Sequence, residues 1–166
     1  YQLNSGAWVS ATGLGSWSGS VTLVSGANVI RAYARDAAGN RSATNSVNVT
    51  YYPPDVSVPV VVIGSPANGA ALSNAVVTVS GTASDNKTLT NVSYQLNSGA
   101  WVSATGLGSW SGSVTLVSGA NVIRAYARDA ADNRSATNSV NVTYYPPDVT
   151  VPVVVIGSPA NGAALS

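Results

Sequence analysis

The sequence predicts an all-β protein built of tandem β-sandwiches, and three observations carry that expectation. Residues 1–73 recur as residues 94–166, an offset of 93, with only Gly39/Asp132 and Ser57/Thr150 differing. A period of that length lets each repeat bury a core of its own. Short apolar alternations bounded by Gly, Pro, Asn and Ser recur about every ten residues, while helical periodicity is almost absent. Charged residues are only 8 % of the chain, and the polarity comes from Ser, Thr, Asn and Gly, which suit β surfaces and turns.

The unit to follow is the one between the two proline pairs, residues 55–145, because each copy of the repeated block begins and ends inside a domain. A first strand is predicted over 59–63 with Val61 and Ile63 inward, ending at a turn marked by Asn68-Gly69. A second over 76–83 turns Val77, Val79, Gly81 and Ala83 inward. A third over 92–96 places Val92, Tyr94 and Leu96 on one side, and Asn97-Ser98-Gly99 closes a hairpin into Trp101-Val102. Beyond a Gly-rich connection, 110–116 points Trp110, Gly112, Val114 and Leu116 to the core, which puts the equivalent Trp17 in the same setting. The stretch 122–128 alternates with a period of two, Ile123, Ala125 and Ala127 inside against Arg124, Tyr126 and Arg128 outside. The last strand, 139–145, turns Val140, Val142 and Tyr144 inward and stops at Pro146-Pro147, since proline has no N–H for a ladder.

The runs Val114-Thr115-Leu116, Ser118-Gly119-Ala120-Asn121-Val122-Ile123 and Asp129-Ala130-Ala131-Asp132-Asn133 resemble the E–F–G half of bacterial immunoglobulin-like domains, including the glucodextranase domain B type. Ile63-Gly64-Ser65-Pro66-Ala67-Asn68-Gly69-Ala70 and Val79-Ser80-Gly81-Thr82-Ala83-Ser84-Asp85-Asn86 are similar to their A–B half. The resemblance implies immunoglobulin-like (fibronectin type III-like) sandwiches of about seven strands each. It divides the chain into the C-terminal strands of one domain (1–52), a complete domain (55–145) and the N-terminal strand of a third (148–166). Such domains act as spacers in surface adhesins, as stalks, and as accessory modules of secreted glycoside hydrolases, so the resemblance is stronger on fold than on function.

Composition removes several function classes. Seven scattered Lys and Arg against six Asp give a net charge of +1, too little for a nucleic-acid surface. No stretch approaches the roughly 18 apolar residues of a membrane helix, so no membrane insertion is expected in this segment. His, Cys and Glu are absent, which leaves only loop Asp residues for acid–base work, and turn chemistry accounts for those. No enzyme is expected. No cofactor is required; calcium is the one ion the residues admit. In an immunoglobulin-like sandwich Asp55, Asp85, Asp129 and Asp132 would gather at one end, as oxygen ligands for calcium or simply as turn residues. Trp8 and Trp101, at the start of the hairpin partner strand, are the candidates for stacking on surface glycans. Val60, Val62 and Tyr126 point outward from predicted strands and are candidates for assembly contacts between copies.

With no Met and no leader, the chain reads as an internal stretch of a longer repetitive array at the cell surface or outside the cell, its proline-bounded linkers stiff enough to line domains into a rod. The expected role is a structural repeat of an extracellular fibre, stalk or adhesin that meets copies of itself. The alternative is a carbohydrate-associated accessory module of a secreted polysaccharide-degrading enzyme.

Overall fold

The computed structural model describes residues 1–164. The chain divides into two compact units, Tyr1–Asp55 and Val56–Ser166. The first holds β1 (Gln2–Leu3), β2 (Gly26–Ala32) and β3 (Asn45–Tyr51) in an antiparallel sheet of that order. Asn28, only 1 % exposed, fastens the approach to β2. Its side chain accepts from Val24 N at 3.0 Å and donates to Val24 O and Gly26 O at 2.7 and 2.9 Å. One asparagine thereby replaces the main-chain bonds that the tight loop cannot make.

The second unit is a two-layer sandwich of β4 (Val60–Ser65), β5 (Ala70–Leu72), β6 (Val76–Ser84), β7 (Leu89–Leu96), β8 (Val102–Ser103), β9 (Ser109–Thr115), β10 (Gly119–Asp129) and β11 (Asn138–Tyr144). One sheet runs β4-β6-β9, the other β5-β11-β10-β7-β8. The strand predicted over 59–63 forms as β4, and β5 is an additional short strand beyond the predicted turn. After β4 the chain turns at Ser65-Pro66 and pairs again as β5, parallel to β11, on the opposite layer.

Inward residues of the two layers meet in one core, with Val61, Ile63, Val79, Ala83, Trp110, Val114 and Leu116 on one side and Val92, Tyr94, Ile123, Ala125, Ala127, Val140 and Val142 on the other. The expected alternation holds along these strands except in β7, where Ser93 is buried between Val92 and Tyr94. Gly81 is a packing requirement, because a Cβ there would collide with the Val62 carbonyl and the Trp110 ring. The strand predicted over 92–96 begins earlier, at Leu89, since a β-bulge between Arg128 and Asp129 brings Asp129 opposite Leu89. Among the described residues no helix is long and apolar enough to cross a membrane.

Two expectations fail for the same reason. Trp110 is 2 % exposed, but its copy Trp17 is 52 % exposed, so the predicted core role holds at one site only. The first unit contains no copy of β4 or β6 to cover Trp17. The strand expected near the end of the chain does not form either. Residues 151–157 carry no strand, and Val153, Val154, Val155 and Ile156 are all 80 % exposed or more. β4, of the same sequence, is held by β6, and no copy of β6 follows in this sequence.

Candidate functional site

The outer face of the five-stranded sheet carries the most organised exposed cluster. Tyr126 projects from β10, and Trp101 reaches it from the β7–β8 hairpin, edge-on at 4.7 Å between ring centroids. Arg134 lies over the other side, its guanidinium 3.9 Å from the Tyr126 centroid and 5.7 Å from that of Trp101. The hairpin is fixed by Asn97 in the left-handed region (φ 51°), by Gly99 N donating to Leu96 O at 3.0 Å, and by Asn97 Oδ1 accepting from Val122 N at 2.8 Å. The first unit repeats the cluster. Trp8 meets Tyr33 edge-on at 4.5 Å, and Arg41 sits 3.6 Å over Tyr33 and 5.1 Å from Trp8.

Trp8 and Trp101 therefore take the outer face, each a little over a third exposed, where sequence left either face open. Tyr126 is half-buried beneath Arg134, which leaves it less area for an assembly contact than its outward register suggests. Arg134 and Arg41 are the residues that sequence reasoning missed. Each lies in a loop, and what brings it over the tyrosine is the reversal of the chain between residues 129 and 133, or 36 and 40.

That reversal is built on Asp129. Oδ1 accepts from Ala131 N (2.9 Å) and Asn133 N (2.8 Å), and Oδ2 accepts from Asn133 Nδ2 (2.8 Å). Burial acts to raise the Asp129 pKa, but the bonds from the Asn133 side chain and from the backbone hold it below the ordinary carboxylate value. Asp36 makes the equivalent bonds to Asn40, and these hold its pKa low too.

The four acidic candidates do not assemble as a set. Asp85 and Asp129, both in the second unit, offer carboxylate oxygens within 4.8 Å of each other, and Asp55 belongs to the first unit. Asp132 turns away, in the left-handed region (φ 67°), and pairs with Arg128, raising the arginine pKa. Two carboxylates suit calcium by donor type but fall short of the six to eight oxygens it takes, and Asp129 already accepts three N–H bonds. Val60 and Val62 lie on the outer side of edge strand β4, 60 % and 46 % exposed. The edge is partly blunted, since Asn138 Oδ1 accepts from Ile63 N at 3.0 Å.

Two packed sheets, with β4 in one layer and β5 in the other, make the second unit an immunoglobulin-like, fibronectin type III-like sandwich. A family model described as glucodextranase, domain B, matches residues 59–144, just over half of the chain, and the chain belongs to that family. Among solved structures it is similar to the fibronectin(III)-like modules of Clostridium thermocellum CbhA, with 23 % identity over 54 % of this chain and 100 % of that one and a TM-score of 0.44. It is also similar to CopC from Methylosinus trichosporium OB3b, with 13 % identity over 56 % of this chain and 99 % of that one and a TM-score of 0.43. No curated protein matches the chain.

Proposed function

We propose that this chain is a non-catalytic, repeated accessory module of a secreted carbohydrate-associated protein, spacing its neighbours and offering glycan contacts on the outer sheet face. The observation that carries this reading is the glucodextranase domain B match, which spans the sandwich from β4 to β11. Trp101, 37 % exposed and edge-on to the half-buried Tyr126, adds apolar surface of the kind that stacks on sugar rings. Membership of the same family supports an extracellular setting.

The fibre or adhesin reading is favoured by the near-identity of the two copies and by the exposed Val60 and Val62. One experiment separates the two: retention of the full chain on a panel of immobilised polysaccharides, with sedimentation velocity over a wide range of concentrations. Retention by a monomeric chain is expected. Growing assemblies with no retention would put the fibre reading in its place. Calcium at Asp85 and Asp129 belongs to this reading as an ion that would neutralise two neighbouring carboxylates. Calorimetry with calcium should show binding that Asp85→Asn abolishes, and an absence of heat would remove the ion from the account.

A further inference from the structure

We infer that the hairpin around Arg35 and Arg41, with Trp8 and Tyr33, is a site for a carboxylate-bearing sugar, a uronate residue of an acidic polysaccharide, and that Asp132 weakens its counterpart in the second copy. This rests on the carbohydrate-associated reading above and names the substrate class.

Backbone register comes first. Arg35 and Arg41 are directly opposed across an antiparallel bridge, as are Arg128 and Arg134. Flanking bonds run from Asp36 N to Asn40 O (3.1 Å) and from Ser42 N to Ala34 O (2.9 Å), so the two arginines form a non-hydrogen-bonded pair, the closer of the two antiparallel pairings. Like charges at such a position repel, and an anion between them relieves the repulsion. In the second copy the protein supplies one itself, the Asp132 carboxylate on Arg128. Gly39 stands there in the first copy, in the same left-handed backbone (φ 88°) but with no carboxylate to offer.

The charge balance differs accordingly. The first hairpin has two guanidinium groups against the single carboxylate of Asp36, a net +1; the second has Arg128 and Arg134 against Asp129 and Asp132, a net of zero. Both oxygens of Asp36 are turned to Asn40. A hollow over the first hairpin is lined by Ala34, Arg35, Asp36, Asn40, Arg41 and Ser42, and Tyr33 and Trp8 adjoin it through Arg41.

Geometry then favours a sugar acid over a bare ion. The Arg41 guanidinium carbon sits over the Tyr33 and Trp8 rings, while among the described residues its donors meet one distant acceptor, Thr44 Oγ1 at 3.4 Å. Arg134 is placed the same way and has no hydrogen bond or ion pair among the described residues. A guanidinium resting on an aromatic ring, with most of its N–H fork unfilled, can meet a carboxylate bidentately, and the neighbouring indole offers the sugar ring apolar surface. The cluster sits on the outer sheet face in the complete sandwich as well, with Trp101 37 % exposed, so it is accessible where the core is whole.

The test uses the full chain, with a galacturonate oligomer, a neutral dextran oligomer and inorganic phosphate as probes in calorimetry. Expected are binding of the galacturonate oligomer well above dextran, loss on Arg41→Gln, a roughly fivefold weakening of the first site on Gly39→Asp, and a similar gain at the second on Asp132→Gly. The paired exchange of Gly and Asp changes charge at one exposed loop position in opposite directions, which a role in folding would not reproduce. Dextran bound as tightly as galacturonate, with Arg41→Gln silent, would overturn the acidic class and leave the carbohydrate reading standing. No retention on any polysaccharide would overturn both. Full displacement of the galacturonate oligomer by equimolar phosphate would overturn the sugar and leave a bare anion site.

Discussion

Tyr1–Asp55 and its copy at residues 94–148 share every residue but one, Gly39 against Asp132, yet they adopt the same local devices and different burial. Both copies keep the buried asparagine, the stacked arginine and the aspartate-capped loop. Only the second copy buries its tryptophan and its β11 valine: Val140 is 6 % exposed and Val47 57 %. Residues 109–115 form β9 against β6, whereas residues 16–22 form no more than an isolated bridge. Devices made by residues close in sequence survive without the opposing sheet, and burial does not. The exposed face is thus specified by the block itself, and the core by the strands it folds against.

The largest expected effect breaks that symmetry. Trp110→Ala should cost about 3–5 kcal/mol, as removal of a buried indole does, whereas Trp17→Ala should change stability by less than about 0.5 kcal/mol; thermal unfolding followed by circular dichroism compares them. Asn121→Ala and Asn28→Ala should instead behave alike. Each strips the same loop of its bonds and leaves buried donors and acceptors unmatched, at about 1–3 kcal/mol. Amide exchange should show Val117 and Val24 losing protection together.

A pH titration should sharpen the likeness further. Asp129 and Asp36 both have pKa values lowered from 3.8. Their contribution is present above that value and disappears as the pH falls from it through the lower folded-state pKa. NMR of the two loops should show both releasing in that window, and Asp129→Asn should remove the pH dependence of the second alone. The smallest effect is at the one site where the copies differ. Asp132→Gly removes an exposed ion pair and should shift stability by less than about 0.5 kcal/mol, since such pairs contribute little.

The sandwich was legible from period-two alternation, and Val61, Val79, Ile123 and Ala127 are buried as their registers require. Trp17 was misread because its register is that of Trp110, and register says which way a side chain points without saying what stands there. The outer-face cluster was only half legible. Aromatic character singled out Trp8 and Trp101, but Arg41 and Arg134 reach the tyrosines through a loop reversal that no periodicity encodes. Asn121 stands out in no periodicity, and its four hydrogen bonds reveal that it closes the loop before β10.

The measurement that bears most directly on this division is acrylamide quenching in single-tryptophan variants that retain either Trp17 or Trp110. Trp110 should emit at shorter wavelength and resist quenching, while Trp17 should be quenched like a solvent-exposed indole. Equal protection of the two would contradict the claim that the block specifies its exposed face alone and borrows its core from β4 and β6.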